Sequence, residues 1–243
     1  MSNGGNGKPK TNGHLRANGA EAPEDTLIGV ILDRSGSMGS CREATITGFN
    51  RFLNAQQRDA VGGRASMSLT QFDDRYEINF VGEPIDNVPE LDAQSYVPRG
   101  QTALHDAIGR TIHETEAWVR EQQWNDRVLI LIITDGQENA SREYDLRAVR
   151  ALIERKEQDG WNFAYMGANQ DSFAVGERMG VRGDFTDDYA STPAGVRGNF
   201  AKLAEKTSLY RMAKEKGLAA AAFFDKPEHE EPARASGKLA PKK

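Results

Sequence analysis

Apolar and polar positions alternate along the chain in a way that divides it into strand-like and helix-like segments. Thr26-Leu-Ile-Gly-Val-Ile-Leu-Asp33 is an unbroken apolar run of strand length, the pattern of a strand buried on both faces. Ile46, Phe49, Phe52 and Leu53 then recur at helical spacing. Ala65-Ser-Met-Ser-Leu-Thr-Gln-Phe72 and Tyr76-Glu-Ile-Asn-Phe-Val81 alternate, and Asp73-Asp74-Arg75 between them predicts a hairpin. Leu104, Ile108, Ile112 and Val119 mark a second helix. Positions 127–134 predict a second buried strand that ends at Asp135, and Leu146, Val149 and Ile153 the helix after it. A third core strand is expected over 161–167 and a shorter helix near 172–179. Val196, Phe200, Leu203, Thr207 and Tyr210 mark the last helix, with Pro193 in its first turn and Thr192 as its cap.

Strands alternating with helices, plus one hairpin, predict an α/β fold. The expected form is a doubly wound, Rossmann-like, mostly parallel sheet with one antiparallel edge strand and helices on both faces. Such a sheet binds its ligand outside the carboxyl ends of the strands, where the strand order reverses. The residues to inspect therefore follow each buried strand: Asp33 onward, Asp135 onward and Gly167 onward. Residues 1–24, rich in Gly, Asn and Ala, and residues 226–243, mixing Pro, Glu, Lys and Ala, read as disordered tails around a single domain over 25–225.

Composition narrows the function classes. Apolar runs such as positions 128–133 fall far short of the roughly 20 residues of a membrane span, and the amino terminus lacks the apolar segment of a secretory signal. One cysteine, Cys41, allows no internal disulfide, so a cytoplasmic location is expected. With 31 Lys+Arg against 36 Asp+Glu, the formal charge of −5 argues against binding carried mainly by nucleic-acid phosphates. Neither a nucleic acid nor a membrane is expected as a partner.

The chemistry sits at the strand ends. Asp33-Arg34-Ser35-Gly36-Ser37 carries oxygen side chains at i, i+2 and i+4, and alternate side chains of an extended loop turn to one side and converge. One carboxylate and two hydroxyls are hard ligands that suit Mg²⁺ or Mn²⁺ and exclude a soft zinc site. The same residues also suit a helix cap by Ser35 or Ser37 with an Asx turn at Asp33. Gly100-Gln101-Thr102-Ala103 places the Thr102 hydroxyl before the second long helix, where it is equally an N-cap. Ile133-Thr134-Asp135-Gly136 puts a carboxylate at the end of the second buried strand, although Asp-Gly alone is only a turn signal. Taken jointly, in this order and each in the right context, these pieces favour a metal site over separate caps and turns.

On these residues the chain resembles a von Willebrand factor type A domain with its metal-ion-dependent adhesion site, over roughly residues 25–217. The resemblance implies that Asp33, Ser35 and Ser37 supply the Asp-x-Ser-x-Ser ligands and Thr102 the ligand from the second loop. Asp135 would then reach the metal through water, with Mg²⁺ (or Mn²⁺) as the cofactor. The segment 167–171 is similar to that of small bacterial and phage members, and Asn169 and Asp171 are expected at the rim of the site, holding waters or ligand, or as caps of the next helix. A divalent ion held directly by one carboxylate and several hydroxyls keeps net positive charge and an open position for an oxygen anion. The expected function is therefore protein binding, with an Asp or Glu of another protein completing the metal shell and no catalysis. Within the same resemblance the chain reads alternatively as an adaptor subunit of an AAA+ ATPase.

A hydrolase is the alternative from another class. Ser35-Gly36-Ser37-Met38-Gly39 is one residue off the Gly-x-Ser-x-Gly nucleophile elbow. None of His14, His105, His113 and His229 is a convincing base, however, and Asp33 and Thr102 would be idle. Metal-assisted hydrolysis lacks a second metal cluster, a phosphate-loop lysine and the second aspartate of an Asp-x-Asp loop. Cys41 reads as a small residue at a helix start, Trp118, Trp124 and Trp161 as packing, and the acidic stretch 184–188 as a solvated loop.

Overall fold

β1 (Thr26–Asp33) and β4 (Arg127–Thr134) are buried along their whole length, as unbroken apolar runs require. They pair in parallel from Thr26 opposite Arg127 to Leu32 opposite Ile133. Gly29 makes that close approach possible: a Cβ there would lie 2.6 Å from the Ile130 Cδ1. β2 (Ala65–Phe72) flanks β1 in parallel, and β3 (Tyr76–Pro84) returns antiparallel at the edge. On the other side β5 (Asn162–Ala168) and β6 (Thr186–Tyr189) extend the sheet in parallel, giving the order β3-β2-β1-β4-β5-β6. The computed structural model describes residues 24–59, 63–124, 126–168, 172–182 and 186–213, so the expected tails lie outside it except for Glu24.

Two strands differ from expectation. β3 continues past Val81 to Pro84, across register shifts around Leu69 that bend the edge. β6 falls in the acidic stretch expected to be a solvated loop; its four residues, Thr-Asp-Asp-Tyr, carry no apolar pattern, and it forms because β5 offers an edge. Its acids are used locally. The Asp188 Oδ1 accepts from the Ser172 N at 2.8 Å, and the Lys202 Nζ lies 3.4 Å from the Asp187 Oδ2. Asp184 lies outside the described residues.

The helices divide between the two faces. α1 (Arg42–Arg58) packs on α5 (Pro193–Met212), with Gly48 so near the Phe200 ring that an added Cβ would lie 2.9 Å from the ring Cγ. α5 starts as its sequence demands, with the Thr192 Oγ1 accepting from the Gly195 N at 3.1 Å and Pro193 in the first turn. Across the sheet α2 (Leu104–Glu121) packs on α3 (Leu146–Gln158), while α4 (Ser172–Arg178) lies against β5 and β6. The tryptophans pack as expected: Trp118 and Trp124 rings lie 5.3 Å apart, and Trp161 stacks on Phe163 at 6.4 Å. β1 leads into α1 on one face and β4 into α3 on the other, so the strand order reverses between their carboxyl ends, Asp33 and Thr134. Among the described residues no helix is long and apolar enough to cross a membrane.

Candidate metal centre

Asp33 ends β1 and is fully buried. Its Oδ1 accepts from the Ser35 N at 2.6 Å, so the Asx turn expected from sequence is formed. Its Oδ2 accepts from the Thr134 Oγ1 at 2.5 Å, across the gap to β4. The caps expected as the alternative are not formed. Ser35 precedes a 3₁₀ turn (Gly36–Cys41) without a side-chain cap bond, and Cys41, not a serine, stands at the start of α1. The serine hydroxyls face each other instead, Oγ to Oγ 3.1 Å, and the Ser37 Oγ donates to the Asp135 Oδ1 at 2.5 Å. Ala103 rather than Thr102 occupies the cap position of α2, and the Thr102 Oγ1 makes no hydrogen bond among the described residues.

Tertiary hydrogen bonds fix where these side chains stand. The Tyr96 hydroxyl donates to the Asp33 carbonyl at 2.7 Å, the Arg99 N to the Arg34 carbonyl at 2.8 Å, and the Gly36 N to the Gly100 carbonyl at 3.2 Å. The loop after β4 clasps the peptide of Thr102: the Asn139 Oδ1 accepts from the Thr102 N at 2.9 Å, and the Asn139 N donates to the Thr102 carbonyl at 3.0 Å. Arg34, only 4% exposed, donates from Nε to the buried Asp73 Oδ2 at 3.1 Å, and the Arg99 Nε reaches the same oxygen at 2.8 Å. One buried carboxylate thus ties the loop of Asp33 to the loop of Thr102. Gly136 leaves the centre open, since a Cβ there would lie 2.5 Å from the Thr102 Oγ1 and 3.4 Å from the Asp33 Oδ2.

The sequence therefore named five side chains that the fold brings together: Asp33, Ser35, Ser37, Thr102 and Asp135. The first two and Thr102 are buried, Asp135 is half-buried and Ser37 is exposed, so the cluster is deep at one side and open to solvent at the other. Asn169 and Asp171 lie outside the described residues. Sequence reasoning missed Thr134, whose hydroxyl reads as part of a strand, and Ser191, whose Oγ donates to the Asp135 Oδ2 at 3.2 Å. It also missed Tyr96, Asn139 and Asp73, which carry no local motif.

Burial pushes the Asp33 carboxyl up from its ordinary 3.8 to about 6, against the pull of its bonds from Thr134 and Ser35. The donor set is oxygen throughout, two carboxylates and three hydroxyls, and fits a hard divalent cation. A group of three or more His, Cys, Asp or Glu able to hold a metal does not occur among the described residues. The candidate donor set draws on hydroxyls instead. Neither described histidine serves as a base for the serines: the His105 Nδ1 lies 3.8 Å from the Glu138 carboxylate, and the His113 Nδ1 bonds with the Gly109 carbonyl and the Tyr144 hydroxyl.

No protein-family model and no curated protein sequence matches the chain. Solved structures do. The pilus adhesin SpaC from Lactobacillus rhamnosus GG superposes with a TM-score of 0.57 at 16% identity, over 78% of this chain and 31% of that one. Proximal thread matrix protein 1 from the mussel byssus, in a structure described as having a zinc-occupied MIDAS motif, gives 0.53 at 15% identity over 77% of this chain and 46% of that one. The ArnB paralog VWA2 from Sulfolobus acidocaldarius gives 0.50 at 16% identity, over 77% and 46%. The chain thus spans between 31% and 46% of the length of these structures. It has the von Willebrand factor type A fold.

Proposed function

We propose that the chain is a metal-dependent protein-binding module of the type A fold, not an enzyme. In this reading Asp33, Ser35, Ser37, Thr102 and Asp135 hold Mg²⁺ (or Mn²⁺), and an Asp or Glu of a partner protein completes the site. The observation that carries it is the convergence of these oxygen side chains at the reversal between β1 and β4, with the Thr102 hydroxyl left unbonded and Gly136 keeping its surroundings clear. When bound, the ion supplies a Lewis-acidic position for an oxygen anion.

The chain's own residues divide the work. Asp33 supplies charge from the buried side, where no partner reaches it. Thr134 and the Ser35 amide hold that carboxylate ionised and aimed. Ser37 and Asp135 form the open mouth. Two of the structural neighbours, a pilus adhesin and a byssal thread matrix protein, are consistent with a binding role for this fold. Zn²⁺ also accepts carboxylate oxygens, and the mussel protein's motif makes it a third ion to titrate.

Calorimetric titration of wild type and Asp33→Ala with Mg²⁺, Mn²⁺ and Zn²⁺, with and without acetate, tests the proposal. Saturable binding that is lost in the variant and strengthened by acetate is the expected result. Tight binding unchanged by Asp33→Ala would overturn the assignment.

A further inference from the structure

A groove of about 540 Å³ runs between the amino-terminal turns of α1 and α5. It adjoins the candidate metal centre directly. Ser40 and Cys41 form its wall at that end; the Ser40 Oγ donates to the Ser37 carbonyl at 3.4 Å, and the Cys41 Sγ lies 3.9 Å from the Ser191 Oγ, which bonds Asp135.

The groove is basic on a chain whose net charge is −5. Arg42, Arg51 and Arg197 line it against one acid, Glu43. The Arg42 guanidinium donates to the carbonyls of Tyr96 and Ala93, acceptors that hold it in place without neutralising it. Arg51 and Arg197 are exposed, and neither pairs with a carboxylate among the described residues. Arg51 follows Thr47 by four positions and Glu43 by eight, so it belongs to the groove-facing side of α1, while Arg197 is one turn beyond Pro193 on α5. Unpaired cations gathered in a cleft beside an anion-seeking centre imply a ligand with more than one negative group.

We propose that this groove takes an acidic segment of the partner protein, with successive Asp or Glu residues. One carboxylate engages the metal centre and those following it lie over Arg51 and Arg197. The inference rests on the function proposed above and adds the partner's character to it. An extended peptide advances about 3.3 Å per residue, so carboxylates at alternate positions face the same wall of the groove. A nucleic acid fits less well, because phosphate-led binding uses a basic stripe broader than three arginines on an acidic chain.

The test uses a fluorescein-labelled hexaglutamate peptide, read by anisotropy with the full chain in millimolar Mg²⁺ or in EDTA. Arg51→Gln with Arg197→Gln should leave calorimetric Mg²⁺ and acetate binding intact and weaken the peptide about fivefold, an effect that shrinks at high salt. Glu43→Gln should tighten the peptide about twofold, a gain that misfolding cannot imitate. Absence of Mg²⁺ binding by wild type defeats the underlying function. Mg²⁺ and acetate binding without any loss in the double arginine variant defeats the groove alone. Peptide binding indifferent to EDTA, or an oligothymidylate that binds more tightly than the peptide, also overturns the proposal.

Discussion

Asp33→Asn separates what the centre costs the fold from what it offers a metal. Burial holds the Asp33 carboxyl at about 6 in the folded chain against 3.8 in the open one. Between those values the folded state binds more protons than the unfolded state. The contribution of this group to metal-free stability is therefore complete below pH 3.8, declines as pH rises, and is lost above about 6. A shift of roughly two units corresponds to about 3 kcal/mol at 1.36 kcal/mol per unit, an upper bound for a carboxylate that keeps some hydrogen bonds. Asparagine keeps the shape without the charge. Its carbonyl oxygen accepts from the Ser35 N, and its NH₂ meets the Thr134 Oγ1, which turns to accept while remaining 3.2 Å from the Gly136 carbonyl.

In EDTA at slightly alkaline pH the variant should thus be more stable than wild type by about 1–3 kcal/mol, raising Tm by roughly 2–12 °C for a domain of this size. The advantage should disappear as pH falls to 3.8. Saturating Mg²⁺ should reverse the order, because the wild type gains RT ln(1 + [L]/Kd), about 4.1 kcal/mol at a thousandfold excess over Kd. Thermal unfolding followed by circular dichroism reads all of these. A variant less stable than wild type in EDTA at alkaline pH, or one that gains as much from Mg²⁺, would refute the reasoning.

Three further substitutions address the surrounding parts. Gly136→Ala places a Cβ 2.5 Å from the Thr102 Oγ1 at a residue whose φ is not positive, so Mg²⁺ affinity should fall at least about tenfold in calorimetry while Tm stays within a few degrees; unchanged affinity would show that Thr102 is not a ligand. Thr134→Val removes a hydroxyl that lowers the Asp33 carboxyl, which then rises above about 6. The pH at which Mg²⁺ binding is half-maximal should move upward, and titrations across the neutral range measure it; an unmoved midpoint contradicts this role. Asp73→Ala strips the Arg34 Nε of a buried partner 3.1 Å away and leaves Arg34 only Glu77, so thermal unfolding should show a loss of about 3 kcal/mol, or roughly 6–12 °C in Tm. A loss below about 1 kcal/mol would mean that the pair contributes as little as a surface salt bridge.

The parts legible in the sequence share one property: their signal is local. β1 and β4 announce themselves because strands covered on both faces must be apolar throughout, and Asp33 and Asp135 are conspicuous as charges at the ends of such runs. α5 was legible at its start because Thr192 and Pro193 encode a cap and a first turn side by side. β6 was not, since Thr-Asp-Asp-Tyr becomes a strand only when β5 presents unpaired backbone and Ser172 presents an amide to Asp188. Tyr96, Asn139 and Asp73 were invisible for the same reason. Each bonds a backbone or side chain brought close only by the finished fold, 63 residues away for Tyr96 and Asp33, 37 for Asn139 and Thr102, 39 for Asp73 and Arg34.

Those long-range bonds bear on how the centre would accept the ion proposed for it. The bond from Tyr96 to the Asp33 carbonyl and those between Asn139 and the Thr102 peptide are made within the protein, so the inner side of the cluster is set before any ligand arrives. The outer side is set differently, by the Ser37 hydroxyl donating to Asp135 at 2.5 Å. That bond need not break. A hydroxyl donates one proton and retains oxygen lone pairs, so Ser37 can offer those to a cation while its proton stays on the Asp135 carboxylate. Asp135 would then offset the ion's positive charge from one atom further out instead of displacing the serine. In the proposed metal-bound state Asp33 would be the one carboxylate bound directly, which would leave the centre short of neutrality. That charge would face the mouth where Ser37 is exposed and where the arginine groove begins, so the acidic partner proposed above would meet attraction from both along one continuous path.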